Sequence, residues 1–270
     1  MTHPMTLSAV VFDWAGTMID HGSQAPMGVF VKAFAQFGVE ITVAEARGPM
    51  GMAKRDHIKT LLAQPRIAAA WKAGHGAAPT DADIDAIYAV FVPMNVAVVT
   101  DYAQLIEGAA DLATRLRTRG LKIGSTTGYT REIMAPLLPL AAAQGYAPDN
   151  LVCAGDLAEG RPSPLMMYRT FLDLGVWPAA SVVKVDDTAV GIAEGLNAGS
   201  WTVGVALTGN VFGLNPAETA ALDGATYHRM RAEAYATLTR AGAHFVIDSV
   251  ADLDAVLDEI EGALARGERP

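Results

Sequence analysis

Asp13 ends an apolar run and opens a glycine-containing turn, Phe12-Asp13-Trp14-Ala15-Gly16-Thr17. A carboxylate at the end of a buried strand can coordinate a hard cation and attack an electrophile. Alone, it is equally an Asp that caps the next turn. Three more polar clusters follow later apolar runs. In Gly124-Ser125-Thr126-Thr127-Gly128-Tyr129, hydroxyls and free backbone N–H groups can hold phosphate oxygens. In Gly160-Arg161-Pro162-Ser163-Pro164, the prolines stiffen the chain, so that Arg161 can pair with a carboxylate or phosphate. In Val185-Asp186-Asp187-Thr188, adjacent carboxylates repel unless a cation or donors compensate them. Metal ligation explains that pair economically, with Asp187 as the ligand. Each cluster taken singly also reads as a helix cap or a solvated side chain.

The elements that must position these clusters are short β-branched runs at residues 7–12, 121–124, 151–154, 181–185, 201–205 and 245–247. Near-continuous apolar strands of this length suggest a parallel sheet buried on both faces. Helical spacing over 108–119, 164–174 and 188–198 alternates with them, predicting a doubly wound parallel α/β fold. The alternation breaks once, over residues 21–100, where amphipathic helices dominate. There Val29, Phe30, Ala33, Phe34 and Phe37 share a face, and Thr42–Glu45 and Thr80–Asp83 form capping boxes. The expected organisation is an α/β core of residues 1–20 and 101–270 with an all-helical insertion at 21–100. In open α/β sheets, ligands bind beyond the carboxyl ends of the strands, where all four clusters fall.

A net charge of −9 argues against nucleic acid or an anionic membrane surface as partner, so an anionic substrate needs local cations or a metal. Cys153 is the only cysteine, which rules out an internal disulfide. The first residues lack a basic region followed by an apolar run. The longest apolar stretch, 86–99, is interrupted by Pro93 and Asn95 and falls short of the ~20 residues that cross a bilayer. A soluble, cytoplasmic protein is expected.

Together the four clusters resemble, in order and spacing, the haloacid dehalogenase-like superfamily, and the resemblance covers essentially the whole chain. It implies an aspartyl-phosphate on Asp13, and a Mg²⁺ held by Asp13, the Ala15 carbonyl and Asp187. It also implies a small cap domain at residues 21–100 and phosphoryl contacts from Thr127, Gly128 and Arg161. The ester phosphatases of that superfamily carry a second Asp two residues after the nucleophile, as general acid. Here that position is Ala15, and loss of such an acid typically costs ~10²–10⁴ in rate.

Gly48-Pro49-Met50-Gly51-Met52-Ala53-Lys54-Arg55-Asp56-His57 supplies the other departure. Lys54 falls near a helix start, where the positive helix end and closure over a site both favour a neutral amine. His57 follows on the same face. Met-Gly-x-x-Lys-x-x-His, with Asp-Trp-Ala-Gly-Thr and Ser-Thr-Thr-Gly-Tyr, is similar to the phosphonatase family. That similarity implies Mg²⁺-dependent hydrolysis of phosphonoacetaldehyde to acetaldehyde and phosphate. Lys54 would form a Schiff base with the small-molecule phosphonate, with His57 and Tyr129 assisting proton transfers and Met50 lining the pocket. Because the C–P electrons pass into an iminium ion, an acid aimed at an ester oxygen becomes dispensable.

The resemblance further implies a homodimer, for which apolar residues of the insertion could supply the contact. Related sequences often carry another acid at the position of Gly191, for which Asp186 is a candidate substitute. His21 and Ser23 receive no role. An ester phosphatase, a dehalogenase or a non-catalytic phosphate-binding protein on the same fold remain alternatives.

Overall fold

The computed structural model describes residues 5–270, so residues 1–4 of the expected core segment lie outside the described residues. Strand β1 (Ala9–Phe12) leads into five consecutive helices, α1 (Ala25–Gln36), α2 (Val43–Arg47), α3 (Lys54–Ala63), α4 (Pro65–His75) and α5 (Asp81–Val99). Helix α6 (Ala109–Thr118) returns the chain to the sheet. Then follow β2 (Lys122–Thr127), α7 (Arg131–Ala143), β3 (Val152–Cys153), α8 (Leu165–Leu174), β4 (Val182–Asp186) and α9 (Ala189–Ala198). The chain ends with β5 (Trp201–Val205), α10 (Pro216–Ala220), α11 (Gly224–Arg240), β6 (Phe245–Ile247) and α12 (Leu253–Ala265).

The six strands are all parallel, in the order β3-β2-β1-β4-β5-β6. Alternate side chains of β1 enter opposite layers: Val10 and Phe12 pack with Ile123 and Val183, while Ala9 and Val11 pack with Met167 and Val182. Both faces of β1 are covered, which is why its sequence is unbroken apolar rather than alternating. The expected doubly wound sheet is therefore the observed one.

Register places the chemistry. Phe12 lies opposite Ser125 of β2 and Val185 of β4, so Asp13, Thr126–Thr127 and Asp186–Asp187 leave the sheet side by side. Strand order reverses about β1, and this switch point opens the crevice where α/β sheets bind ligands.

Two elements go beyond the sequence reading. Strand β2 continues through Ser125, Thr126 and Thr127, the last two pairing with Val152 and Cys153. Their hydroxyls hid a strand whose backbone ladder is nonetheless complete. The apolar stretch that Pro93 and Asn95 interrupt is part of one continuous helix, α5, which runs through both residues. With the turn that follows it, Asp81–Tyr102 is long and apolar enough, by length and composition, to cross a membrane. Here Ile84, Ile87, Phe91 and Val92 pack among the five-helix insertion, with Phe91 stacked on Phe30 at 4.3 Å. Both capping boxes form.

Candidate active site

The four strand-end clusters converge with one segment of the helical insertion. Asp13, Ala15, Thr127, Gly128, Tyr129, Arg161 and Asp187 face Met50, Gly51 and Lys54 around a cavity of about 20 Å³. That is room for roughly one water. Glycine permits the close approach. A Cβ on Gly128 would meet the Met52 carbonyl oxygen at 2.7 Å, and one on Gly51 would meet Thr188 Oγ1 at 2.3 Å.

Asp13, Asp186 and Asp187 each offer a carboxylate oxygen within 4.8 Å of the other two. Burial raises Asp13 to about 6 and, with the charges of Asp13 and Asp186, pushes Asp187 well above the usual carboxylate range. A hard cation would relieve this repulsion. The three carboxylates are not equivalent. Asp186 Oδ1 accepts from the Thr188 N–H and hydroxyl, at 3.0 and 2.7 Å, and its Oδ2 lies 3.1 Å from Lys184 Nζ and 3.3 Å from Arg161 Nη1. Burial opposes its charge, but Arg161 and Lys184 outweigh burial and hold Asp186 below its ordinary value. Asp13, although paired with Arg161, and Asp187 are thus the two carboxylates left above their ordinary range, and they could hold a cation. Glycine at position 16 leaves Asp187 room, since a Cβ there would lie 2.2 Å from its Oδ2.

Arg161 is anchored through Nε and Nη2, while Nη1 lies at ion-pair distance from Asp13 without a hydrogen-bond partner. Nη1 is 2.8 Å from Asp13 Oδ1, Nε donates to Glu194 Oε2 at 2.9 Å, and Nη2 donates to the Thr126 carbonyl at 2.6 Å. Burial disfavours its charge, yet Asp186, Asp13 and Glu194 hold it above its ordinary pKa. Thr126 faces this network rather than the cavity, its hydroxyl donating to Glu194 Oε2 at 2.8 Å. Ser125 accepts from the Trp14 indole N–H. Of Ser125, Thr126 and Thr127, only Thr127 borders the cavity.

Lys54 is the first residue of α3 and is 2 % exposed. Its Nζ sits 3.8 Å from Met50 Sδ and 4.9 Å from the centre of the Tyr129 ring. Burial lowers it to about 8, against the attraction of Asp13. His57 is buried behind it, stacked on Phe30 at 4.0 Å, with Nε2 2.8 Å from the Ala46 carbonyl. A carbonyl only accepts, so Nε2 carries the proton and Nδ1, which has no hydrogen-bond partner, presents a lone pair. Burial, then the neighbouring Lys54 charge, holds His57 neutral, well below its ordinary pKa. The Tyr129 hydroxyl is also buried without a partner, and burial keeps it protonated.

Residues 7–199 match the haloacid dehalogenase-like hydrolase family. The phosphonoacetaldehyde hydrolase of Paraburkholderia xenovorans (strain LB400) is 60 % identical over 98 % of this chain and 99 % of its own length. The chain belongs to the phosphonoacetaldehyde hydrolase family of haloacid dehalogenase-like hydrolases. Its counterpart from Klebsiella pneumoniae is 50 % identical over 98 % of this chain and 99 % of its own. The crystal structure of a phosphonoacetaldehyde hydrolase-like protein from Oleispira antarctica superposes with a TM-score of 0.97 at 44 % identity, covering 99 % of this chain and 97 % of that one. Membership of the phosphonoacetaldehyde hydrolase family makes the chain an enzyme of hydrolase class, and its buried carboxylates could hold the metal.

The sequence reading missed several residues that shape this site. Lys184 and Glu194 are charged letters inside an apolar strand and an apolar helix, and both are fully buried against Arg161 or Asp186. Ser23 borders the cavity with a positive φ of 50° and an unpartnered hydroxyl. Thr208 and Asn210 follow β5, where the strand-end rule would have found them. Thr208 Oγ1 donates to the Gly16 carbonyl at 2.9 Å, and the Asn210 N–H to Asp187 Oδ2 at 2.7 Å.

Proposed function

We propose that the chain hydrolyses the carbon–phosphorus bond of phosphonoacetaldehyde to acetaldehyde and phosphate, with Asp13 as nucleophile and Lys54 as Schiff-base former. The observation that carries this reading is Lys54: a buried amine with a pKa near 8, enclosed with Asp13 in one cavity. A neutral amine is what carbonyl attack needs. An ester phosphatase has no use for it and lacks its acid at Ala15.

Lys54 Nζ adds to the aldehyde and loses water to give an iminium ion, its protons relayed by His57 Nδ1 and the Tyr129 hydroxyl. An Asp13 carboxylate oxygen then forms a bond to phosphorus as the C–P bond breaks, and the bond's electrons pass into the iminium as an enamine. Arg161 and Thr127 hold the transferring oxygens. Gly128 admits them to the backbone, and Met50 packs against the Lys54 amine. Protonation of the enamine at carbon and hydrolysis of the resulting imine return Lys54 and acetaldehyde. Water attacking the aspartyl-phosphate returns Asp13 and phosphate. Asp13, Asp187 and the Ala15 carbonyl would hold a Mg²⁺, which when bound would neutralise phosphoryl charge.

A cavity of about 20 Å³ admits no phosphonate, so the helical insertion (residues 21–100) acts as a cap that opens for entry and closes for chemistry. Phosphonoacetaldehyde added with Mg²⁺ should release acetaldehyde and phosphate in equal amounts. Release from phosphate monoesters at comparable rates, surviving in Lys54→Arg, would replace this reading with an ester phosphatase.

A further inference from the structure

We propose that Arg47, at the end of α2, is a positioning residue that orients Asp187 through Asn210, coupling the seat of the helical insertion to the cation site. The guanidinium crosses from the insertion to the loop after β5. Its Nη1 donates to the Gly22 carbonyl at 2.8 Å and to Asn210 Oδ1 at 3.1 Å, and its Nη2 to the Gly213 carbonyl at 2.8 Å. Asn210 Nδ2 answers by donating to the Arg47 carbonyl at 3.2 Å. The Asn210 side chain therefore faces the insertion while its backbone N–H, on the opposite side, holds Asp187 Oδ2 at 2.7 Å.

The loop is built to transmit that position. A Cβ on Gly209 would lie 2.6 Å from the Asp187 Cβ, so the loop rests directly on the aspartate. Gly213 has a φ of 69°, and a Cβ there would lie 2.9 Å from Arg47 Cζ, so the guanidinium lies flat on the backbone. Beyond its own backbone N–H, the only other donor to the Asp187 side chain among the described residues is Thr17 Oγ1, at a long 3.4 Å. One short backbone bond thus fixes the carboxylate, and Arg47 fixes the residue that gives it.

The sign of the effect separates this role from simple electrostatics. The Arg47 charge is close enough to Asp187 to interact with it. By Coulomb's law alone, removing it should tighten cation binding. A relay predicts the reverse, because partners that orient a metal ligand typically contribute ~10–100-fold in affinity.

The proposal rests on reading Asp187 as a cation ligand, and the test separates the two. Mg²⁺ binding to the substrate-free full chain is measured by titration calorimetry, far below the unfolding temperature, for the wild type, Asp187→Asn, Arg47→Ala, Arg47→Lys, Asn210→Ala and the Arg47→Ala/Asn210→Ala double variant. Arg47→Ala and Asn210→Ala should each weaken binding about tenfold, with the double variant no weaker than either. Arg47→Lys keeps the charge without the two-pronged donor and should recover only part of the loss. Should Arg47→Ala fail to fold, Arg47→Lys and Asn210→Ala decide the matter. Unchanged or tighter binding in the Arg47 and Asn210 variants, with Asp187→Asn impaired, would overturn the relay alone. Unchanged binding in Asp187→Asn would overturn the ligand assignment and the relay with it.

Discussion

The Asp186 carboxylate fills the space that a side chain at position 191 would need: a Cβ on Gly191 would lie 1.9 Å from Asp186 Cγ and within 2.1 Å of both its oxygens. The glycine and the aspartate are steric complements. An acid at position 191 and the observed Asp186 conformer cannot coexist. Asp186 is held by Lys184, Arg161 and Thr188 in the wall behind the site.

Gly191→Ala tests that complementarity. In a helix, glycine to alanine normally stabilises by about 1 kcal/mol. Here overpacking against a buried, ion-paired carboxylate should reverse the sign, giving a net loss of about 1–3 kcal/mol. Denaturant unfolding of the two proteins measures it, and a more stable variant would contradict the geometry.

The Lys54 amine should cost the protein stability. Its pKa falls from 10.5 to about 8 on folding, so the unfolded chain holds the proton more tightly. Between those values stability rises with pH, and below about 8 the penalty is present in full, on the order of 3 kcal/mol. Lys54→Met should therefore raise the unfolding temperature at neutral pH while abolishing turnover, with the gain shrinking as pH climbs towards 10.5. In the wild type, the rate of Schiff-base formation should increase with pH and level off above about 8.

The carboxylate cluster predicts a pH-dependent metal effect. Without a cation, Asp13 has a folded pKa of about 6 against an ordinary 3.8, so its contribution to stability is present below 3.8 and lost as pH rises through about 6. Mg²⁺ should offset that loss. The rise in unfolding temperature on adding Mg²⁺ should be larger near pH 7.5 than near pH 5, by roughly the cost of one unmet carboxylate. Asp187→Asn should remove most of it. A shift of equal size at both pH values would contradict the assignment.

Much of this arrangement was legible in the sequence because the strands are unbroken apolar runs and the polar letters after them had only one place to go. Asp13, Thr127, Arg161 and Asp187 were found by that rule, and the structure brings them together with Lys54 from a segment far away in the chain. What escaped was chemistry inside regular elements. Lys184 and Glu194 went unremarked because nothing local says that each will be buried beside the other. Pro93 and Asn95 interrupt the apolar run, yet α5 continues through both because it is held by packing against α1 and α3. Asn210 lay within reach of the strand-end rule, in the loop after β5, but that it acts on Asp187 through its backbone N–H is not written in its side chain.

The surface carries a further prediction. The most exposed large apolar side chains are Trp177 and Leu172, 83 % and 79 % accessible, with Tyr168 and Leu165 beside them on α8 or its flank. Within the insertion, among the described residues, only Val43 is comparably exposed. A homodimer that pairs through α8 of the core would bury these side chains. Sedimentation should find a dimer in the wild type and a folded monomer in Leu172→Glu/Trp177→Arg; a dimer that survives both changes would refute this surface.

The central claim is a covalent bond between Lys54 and the substrate carbonyl, and borohydride trapping reads it directly. The protein is mixed with phosphonoacetaldehyde and Mg²⁺, reduced, digested and analysed by mass spectrometry. The account predicts a reduced two-carbon adduct on Lys54, absent from Lys54→Arg, with loss of activity in proportion to labelling. Continued phosphate release with no adduct on Lys54 would contradict it.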